Sequence, residues 1–460
     1  MIFHTEKNRG MIISFVVAFL AIILTFICSG AFASLLMTVF VFASGQLLCR
    51  TIGRENRDRG RLLFNIVFSC LTVFACVHYM DTVVDWQTFA LDWNDEYKFW
   101  KLSETLSGYP SVKSIFVDCF INRNVGGLIG NPGYVFYIGI LVYIAEAFLD
   151  GNNLLYQFMG SVLFGSLFSI VLYKIFLLYI DGKKAFKYVL LFSLCSVVFS
   201  YGFLFLRDVV ILFFYVSILY IVLRKFTVRN LVGLILLSFI VFQLREEHGL
   251  FSLVFIAYYI YKAFRKIKVL VWLLLPCLPV VFFVYFGTYF DSSVSSMEYY
   301  TEFTAGQAKF ADGLSLYIFK LPPVIKEVVL FFYSAVSPVP PWKQLFVSTN
   351  LFDGIVSLHV IVYAIFWYIV FYSAFKWLVL DGRIKQLPVD VIWLSGIAVL
   401  FIVLNLSNPA HRRLMAVYPV IYLAYCLIKE KIPRPVVNKN KLVLSGIYVL
   451  GLVLYIFLKA

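Results

Sequence analysis

The sequence predicts an all-α, polytopic membrane protein, and three observations carry that prediction. Of its 460 residues, 62% are hydrophobic and 14% are charged, where an ordinary soluble domain carries about 25% charged residues. Apolar runs long enough for a spanning helix, about 20 residues at 1.5 Å rise each, recur from end to end. Clusters of Lys and Arg punctuate those runs as cytoplasmic loops do in helical membrane proteins.

Taken in order, the first apolar run, 11–29, follows Lys7 and Arg9 and ends near Ala31-Phe32-Ala33, which imitates a signal cleavage site. A second run follows at once, so a helical hairpin, 11–29 with 31–48, is expected instead. Arg50, Arg54, Arg57, Arg59 and Arg61 precede a third span, 62–80. Further basic clusters follow: Lys183, Lys184 and Lys187; Arg224, Lys225 and Arg229; Lys262, Arg265, Lys266 and Lys268; Arg383 and Lys385; Lys429, Lys431 and Arg434. All fall on the cytoplasmic side only if two apolar runs do not cross. One is 132–149, which is short, begins Pro132-Gly133 and contains Glu146. The other is 324–337, which carries Lys326 and Glu327 and runs into Pro338, Pro340 and Pro341. Both are expected as interfacial helices in outer loops. About thirteen spans remain: 11–29, 31–48, 62–80, 154–180, 186–206, 208–223, 230–244, 249–264, 269–288, 355–375, 389–405, 413–428 and 441–458. The organisation read from this is an N-terminal hairpin and loop (1–61), a membrane core with outer loop 81–131 (62–288), a long outer loop (289–354) and C-terminal spans (355–460).

The net charge of +14 is explained by this topology. No basic face with exposed interleaved aromatics points to nucleic acid. The eight cysteines lie mostly inside apolar runs, with no CxxC and no Cys/His cluster. Neither zinc nor a disulfide framework is expected.

The acidic residues concentrate on the outer side, with a few arginines among them, and the two long loops are also outer. Chemistry is therefore expected at the outer face. Four constellations lie there. Asp92-Trp93-Asn94-Asp95-Glu96-Tyr97 offers adjacent carboxylates, which suit a divalent cation or removal of a proton from an attacking hydroxyl. A solvated acidic loop would look the same. Arg207-Asp208 interrupts an apolar junction between two spans, as a helix-end ion pair also would. Arg245-Glu246-Glu247-His248 joins two more spans. Its guanidinium suits phosphate, which arginine binds bidentately, although a charged turn is the plain alternative. Asn405-Leu-Ser-Asn-Pro-Ala-His411-Arg412-Arg413 opposes the positive-inside trend, which makes it the most informative basic site. A lipid-linked phosphate or pyrophosphate, or lipid headgroups alone, would account for it. His359 reads as a packing residue, and His4 and His78 give no signal.

In this order the sites resemble the polyprenyl-phosphate-dependent membrane glycosyltransferases of the GT-C class. The acidic stretch Asp95-Glu96-Tyr97 through Gly108 resembles the acidic motif of that class's first long outer loop. Asn131-Pro132-Gly133-Tyr134 with 135–149 resembles its aromatic segment lying along the outer surface. Arg207-Asp208 resembles its second-loop Asp, and Arg412-Arg413 with Pro419 its late outer Arg and Pro. The resemblance covers about 85–250 and 405–422. It departs in having the acidic loop after the third span. Pro338-Val-Pro-Pro-Trp342 and the outer arginines also resemble surface-polysaccharide polymerases of the O-antigen or capsule type, which rely on arginine more than on metal.

The resemblance implies a transferase at the outer face of a bacterial inner membrane, N-terminus cytoplasmic, in surface polysaccharide biosynthesis. The donor would be a polyprenyl-linked sugar and the acceptor a glycan. Asp95, Glu96 and Asp208 are the expected catalytic residues. They are also the expected ligands if a divalent cation, Mg or Mn, takes part. Arg207, Arg245, His248, His411, Arg412 and Arg413 are expected to bind the phosphate. Membrane lipids are the other expected partner, and nucleic acid is not one. A repeat-unit polymerase without metal is the alternative. A lipid-linked oligosaccharide flippase is the competing class, and it would bury charges along a mid-membrane path.

Overall fold

A computed structural model describes residues 2–84, 93–122, 132–264, 318, 321–338, 341–342, 344–346, 351–406 and 411–459. The expected span 269–288, most of loop 289–354, Asp92 and residues 407–410 lie outside them. The described residues are helical and contain no strand. They divide into two compact units, Met1–Ile256 with Thr349–Val356, and Ala257–Ser348 with Ser357–Ala460.

The first unit begins with α1 (Ile2–Ser29), α2 (Phe32–Cys49) and α3 (Arg54–Val84). Its surface chemistry is inverted relative to a soluble bundle. Ile12, Val16, Phe19, Leu20 and Ile27 of α1 are exposed, while Thr25, Thr38 and Asn65 are fully buried. Asn65 donates to Ser14 at 3.1 Å and accepts from Gln46 at 2.8 Å. In lipid, apolar side chains gain nothing by turning inward, and polar groups serve as glue between helices. Among the described residues, six helical stretches are long and apolar enough to cross a membrane: Arg9–Ser29, Phe32–Cys49, Arg54–Asp81, Leu154–Phe176, Leu351–Leu380 and Arg434–Phe457. The architecture is that of a helical membrane protein.

The rest of the unit comprises α4 (Trp93–Leu106), α5 (Val112–Phe116), α6 (Pro132–Phe148), α7 (Leu154–Phe176), α8 (Gly182–Cys195), α9 (Val197–Tyr201), α10 (Asp208–Leu223), α11 (Val228–Leu244) and α12 (Glu246–Phe264), which continues into the second unit. α7 is its buried axis, packed against α2, α3 and α10. Lys174 donates to Thr51, and Tyr173 donates to the Gly182 carbonyl. These bonds gather the basic stretches after α2 and α7 at one end of the unit. At the opposite end Asp150 accepts from the Phe32 and Ala33 amides and so caps α2.

The run 186–206, expected as one span, is broken. α8 stops at Ser196, α9 adds a single turn, and Gly202–Leu206 is irregular yet almost wholly buried. Irregular backbone survives at such depth only where protein covers it and satisfies its polar groups. Gly165 of α7 permits the approach, since a Cβ there would lie 3.0 Å from the Gly202 backbone. α6 is a 17-residue apolar helix over the run expected to be interfacial. Its first turn abuts the end of α11, where a Cβ on Gly133 would meet Gln243 at 2.8 Å, and its last turn leads into α7.

In the second unit α13 (Pro323–Ser334), the remainder of α14 (Leu351–Phe375), α15 (Val389–Leu404), α16 (His411–Leu414), α17 (Tyr418–Lys429) and α18 (Arg434–Lys459) pack through aromatic side chains. Trp367 stacks on Tyr418 at 3.8 Å, and Tyr368 lies 4.7 Å from Tyr448. α18 leaves Leu442, Leu450 and Phe457 exposed, as a lipid-facing helix does. The expected span 413–428 is helical without interruption only from Tyr418.

Candidate functional site

The candidate site occupies the end of the first unit opposite the basic stretches. α4 supplies its acidic side. Glu96, Phe99, Trp100, Ser103 and Leu106 are buried, while Tyr97, Lys98, Lys101 and Glu104 are exposed. That spacing is one face of a 3.6-residue helix. It separates the two neighbouring carboxylates, leaving Asp95 half-exposed and Glu96 fully buried.

Glu96 is held on two sides. Its Oε1 accepts the Phe205 backbone N–H at 2.7 Å, and His78 Nε2 lies 3.3 Å from both carboxylate oxygens. The first contact reaches into the irregular Gly202–Leu206 elbow and satisfies one of its buried amides. Within the elbow the Leu206 N–H donates to the Leu204 carbonyl. Two residues past Phe205, Arg207 opens α10 and Asp208 is its first residue.

Asp208 meets Arg245. The Nη2–Oδ1 distance is 2.9 Å, with the side chains 4% and 2% exposed for Arg245 and Asp208. Arg245 is an extended residue between α11 and α12. The sharp change of direction there depends on Gly249. A Cβ at that position would lie 2.2 Å from the Phe242 Cα, so only glycine lets the first turn of α12 rest on the last turn of α11. His248, almost fully buried, accepts the Tyr215 hydroxyl through its carbonyl at 2.6 Å.

Arg245 is incompletely satisfied. Its Nε and Nη1 are buried with no hydrogen-bond partner among the described residues, and so is the Tyr134 hydroxyl of α6. Buried donors of this kind normally have partners, and leaving one unmade costs about 1–3 kcal/mol, more for a charged group. Tyr134 packs on Phe99 and Phe205, with ring centroids 4.7 and 6.3 Å away. Burial foremost, then Tyr137, Asp208 and Glu96, raise its phenol well above the ordinary tyrosine range, against a lowering by Arg207. The phenol is therefore a donor at neutral pH. The guanidinium and the phenol are each donors of the kind that bind anions.

Among the described residues no three His, Cys, Asp or Glu side chains gather as a group that could hold a metal. Glu96 already serves His78 and Phe205, and Asp208 already serves Arg245.

Of the sequence-predicted residues, Asp95, Glu96, Arg207, Asp208, Arg245 and His248 share the first unit. His411, Arg412 and Arg413 belong to the second. There His411 Nδ1 pairs with the Tyr418 hydroxyl at 2.7 Å and Nε2 with the Ser337 carbonyl. Both ring nitrogens are thus engaged, and His411 has no atom left for a phosphate. Arg412 is half-buried and Arg413 buried.

Sequence reasoning missed His78 and weighed Tyr134 only as part of an aromatic segment. It also missed the different burial of Asp95 and Glu96, although the α4 face contained that signal. No protein family, curated protein or solved structure matches the chain.

Proposed function

We propose that this protein transfers a sugar or glycan from a polyprenyl phosphate or pyrophosphate donor to an acceptor glycan, at the non-cytoplasmic face of a bacterial inner membrane. The observation that carries the proposal is Arg245. A guanidinium nearly sealed from solvent, fixed by Asp208 on one arm and unsatisfied on Nε and Nη1, is what a phosphate-binding pocket requires before its ligand arrives. The basic stretches at the opposite end of the unit support the orientation, since such clusters remain cytoplasmic.

In this reading the acceptor hydroxyl oxygen attacks the anomeric carbon. The bond from that carbon to the phosphate oxygen breaks, and its electron pair leaves on the phosphate. Arg245, with Arg207 next in sequence to its partner Asp208, stabilises the negative charge growing there, which is the chief way a preorganised site lowers such a barrier. The hydroxyl proton passes to Asp95, the half-exposed carboxylate of α4. Glu96 supports the elbow instead of taking the proton. The engagement of Glu96 and Asp208 favours an arginine-based site, as in repeat-unit polymerases, over a cation-based one.

The test is glycan transfer in membranes carrying Asp95→Ala, Arg245→Ala or Arg412→Ala protein that inserts at wild-type levels. Loss at Asp95 and Arg245 is expected, and full retention in all three variants removes the site. In a deletion strain, lipid-linked intermediates should accumulate on the outer leaflet. Accumulation on the inner leaflet would instead indicate a flippase.

A further inference from the structure

His78 lies within an apolar stretch of α3, and the groups that frame its ring come from distant parts of the chain. In the fold it is fully buried. Its imidazole is sandwiched between Phe158 of α7, with centroids 4.6 Å apart and planes 5° off parallel, and Phe352 of α14, at 4.2 Å and 15°. Phe352 is itself anchored, because its amide donates to Asp81 at 2.8 Å. Two flat neighbours fix the plane of the ring and therefore the direction of Nε2. That nitrogen faces the Glu96 carboxylate, 3.3 Å from each oxygen. With the proton on Nε2, His78 donates and Glu96 accepts. A phenylalanine would fill the same slot between rings but could offer Glu96 nothing.

Glu96 passes the constraint on. Its Oε1 holds the Phe205 amide at 2.7 Å, and Phe205 sits in a stretch with no helical ladder to hold it. The next residues are Leu206, Arg207 and Asp208, and Asp208 sets Arg245. The links are therefore contiguous: aromatic vice, imidazole, carboxylate, elbow amide, start of α10, guanidinium.

We propose that His78 is a positioning residue, fixing through Glu96 the elbow that presents Arg207 and Asp208 to the anion site. The structural link stands on geometry alone. Only its consequence for ligand binding rests on the phosphate-transfer reading above.

The experiment compares His78→Gln with His78→Phe in full-length protein purified in detergent. Gln keeps a donor and gives up the aromatic stack, whereas Phe keeps the stack and gives up the donor. Two readouts are taken: hydrogen–deuterium exchange of the peptide covering 202–208, and binding of farnesyl phosphate as a soluble prenyl-phosphate probe. His78→Phe should lose about tenfold in protection of the elbow and about tenfold in probe affinity, the worth of one hydrogen bond to a charged group. His78→Gln should stay within about threefold of wild type by both readouts. Wild-type protection of the elbow in His78→Phe, or faster exchange in His78→Gln than in His78→Phe, overturns the proposal and makes His78 a packing residue. If His78→Phe does not fold, His78→Leu carries the same prediction. The expected exchange pattern in protein whose wild type binds no farnesyl phosphate upholds the positioning link and overturns the phosphate reading alone.

Discussion

Replacing Asp208 with Asn should destabilise the protein by about 3–5 kcal/mol, the usual cost of removing one member of a buried ion pair. The magnitude follows from the site. The Asp208 and Arg245 side chains are 2% and 4% exposed and 2.9 Å apart at their nearest atoms. With charge centres about 4 Å apart, their attraction is ~4 kcal/mol at an effective dielectric near 20. Asn preserves the shape and removes the charge, leaving a guanidinium that already has two unpartnered nitrogens. Arg245→Gln should cost a similar amount by stranding Asp208. The double variant Asp208→Asn with Arg245→Gln strands neither charge and should be less destabilised than the sum of the singles by about 2–4 kcal/mol. Reversible unfolding in mixed micelles measures all four corners of this cycle. Additive losses, with coupling below about 0.5 kcal/mol, would refute the assignment of the pair as a buried, mutually dependent unit.

Three further outcomes are expected. Gly249→Ala places a methyl 2.2 Å from the Phe242 Cα, so α11 and α12 must separate. A stability loss of about 1–3 kcal/mol by unfolding is expected, and a variant as stable as wild type would contradict the close approach. Asp95→Asn should lower the transfer rate about 10²–10⁴-fold while farnesyl phosphate still binds, whereas equal loss of binding would assign Asp95 to donor recognition instead. Burial lowers the His411 pKa below its ordinary 6.5, partly offset by the Ser337 carbonyl. As pH falls below 6.5, the unfolded histidine takes up its proton before the folded one, so stability falls with pH toward the depressed value. His411→Gln should remove that part of the slope in unfolding measured between neutral and mildly acidic pH, and an unchanged slope would contradict it.

Much of the helical architecture was legible because lipid imposes a coarse rule on sequence: long apolar runs become helices, and basic residues stay to one side. The run 132–149 forms a helix, α6, whose first turn abuts the end of α11. The break after α8 was not legible. Gly202-Phe-Leu-Phe-Leu is as apolar as any span, and the group that satisfies its backbone, Glu96, lies more than a hundred residues earlier. Arg207, Asp208 and Arg245 were conspicuous as charges among apolar residues. Their pairing, Asp208 with Arg245 across two helix junctions, is tertiary information that no local spacing encodes. His411 shows the converse. Its position beside two arginines pointed to phosphate, and the fold uses both its nitrogens to join α16, α17 and the Ser337 turn.

The most direct test is titration of purified wild-type and Arg245→Lys protein with farnesyl phosphate. A lysine ammonium can replace the charge facing Asp208 but cannot also present two further N–H groups in a fixed plane. Saturable binding by wild type, weakened about tenfold or more in Arg245→Lys, is the expected result. Absence of saturable binding in wild type, or equal affinity in both proteins, would contradict a phosphate at Arg245.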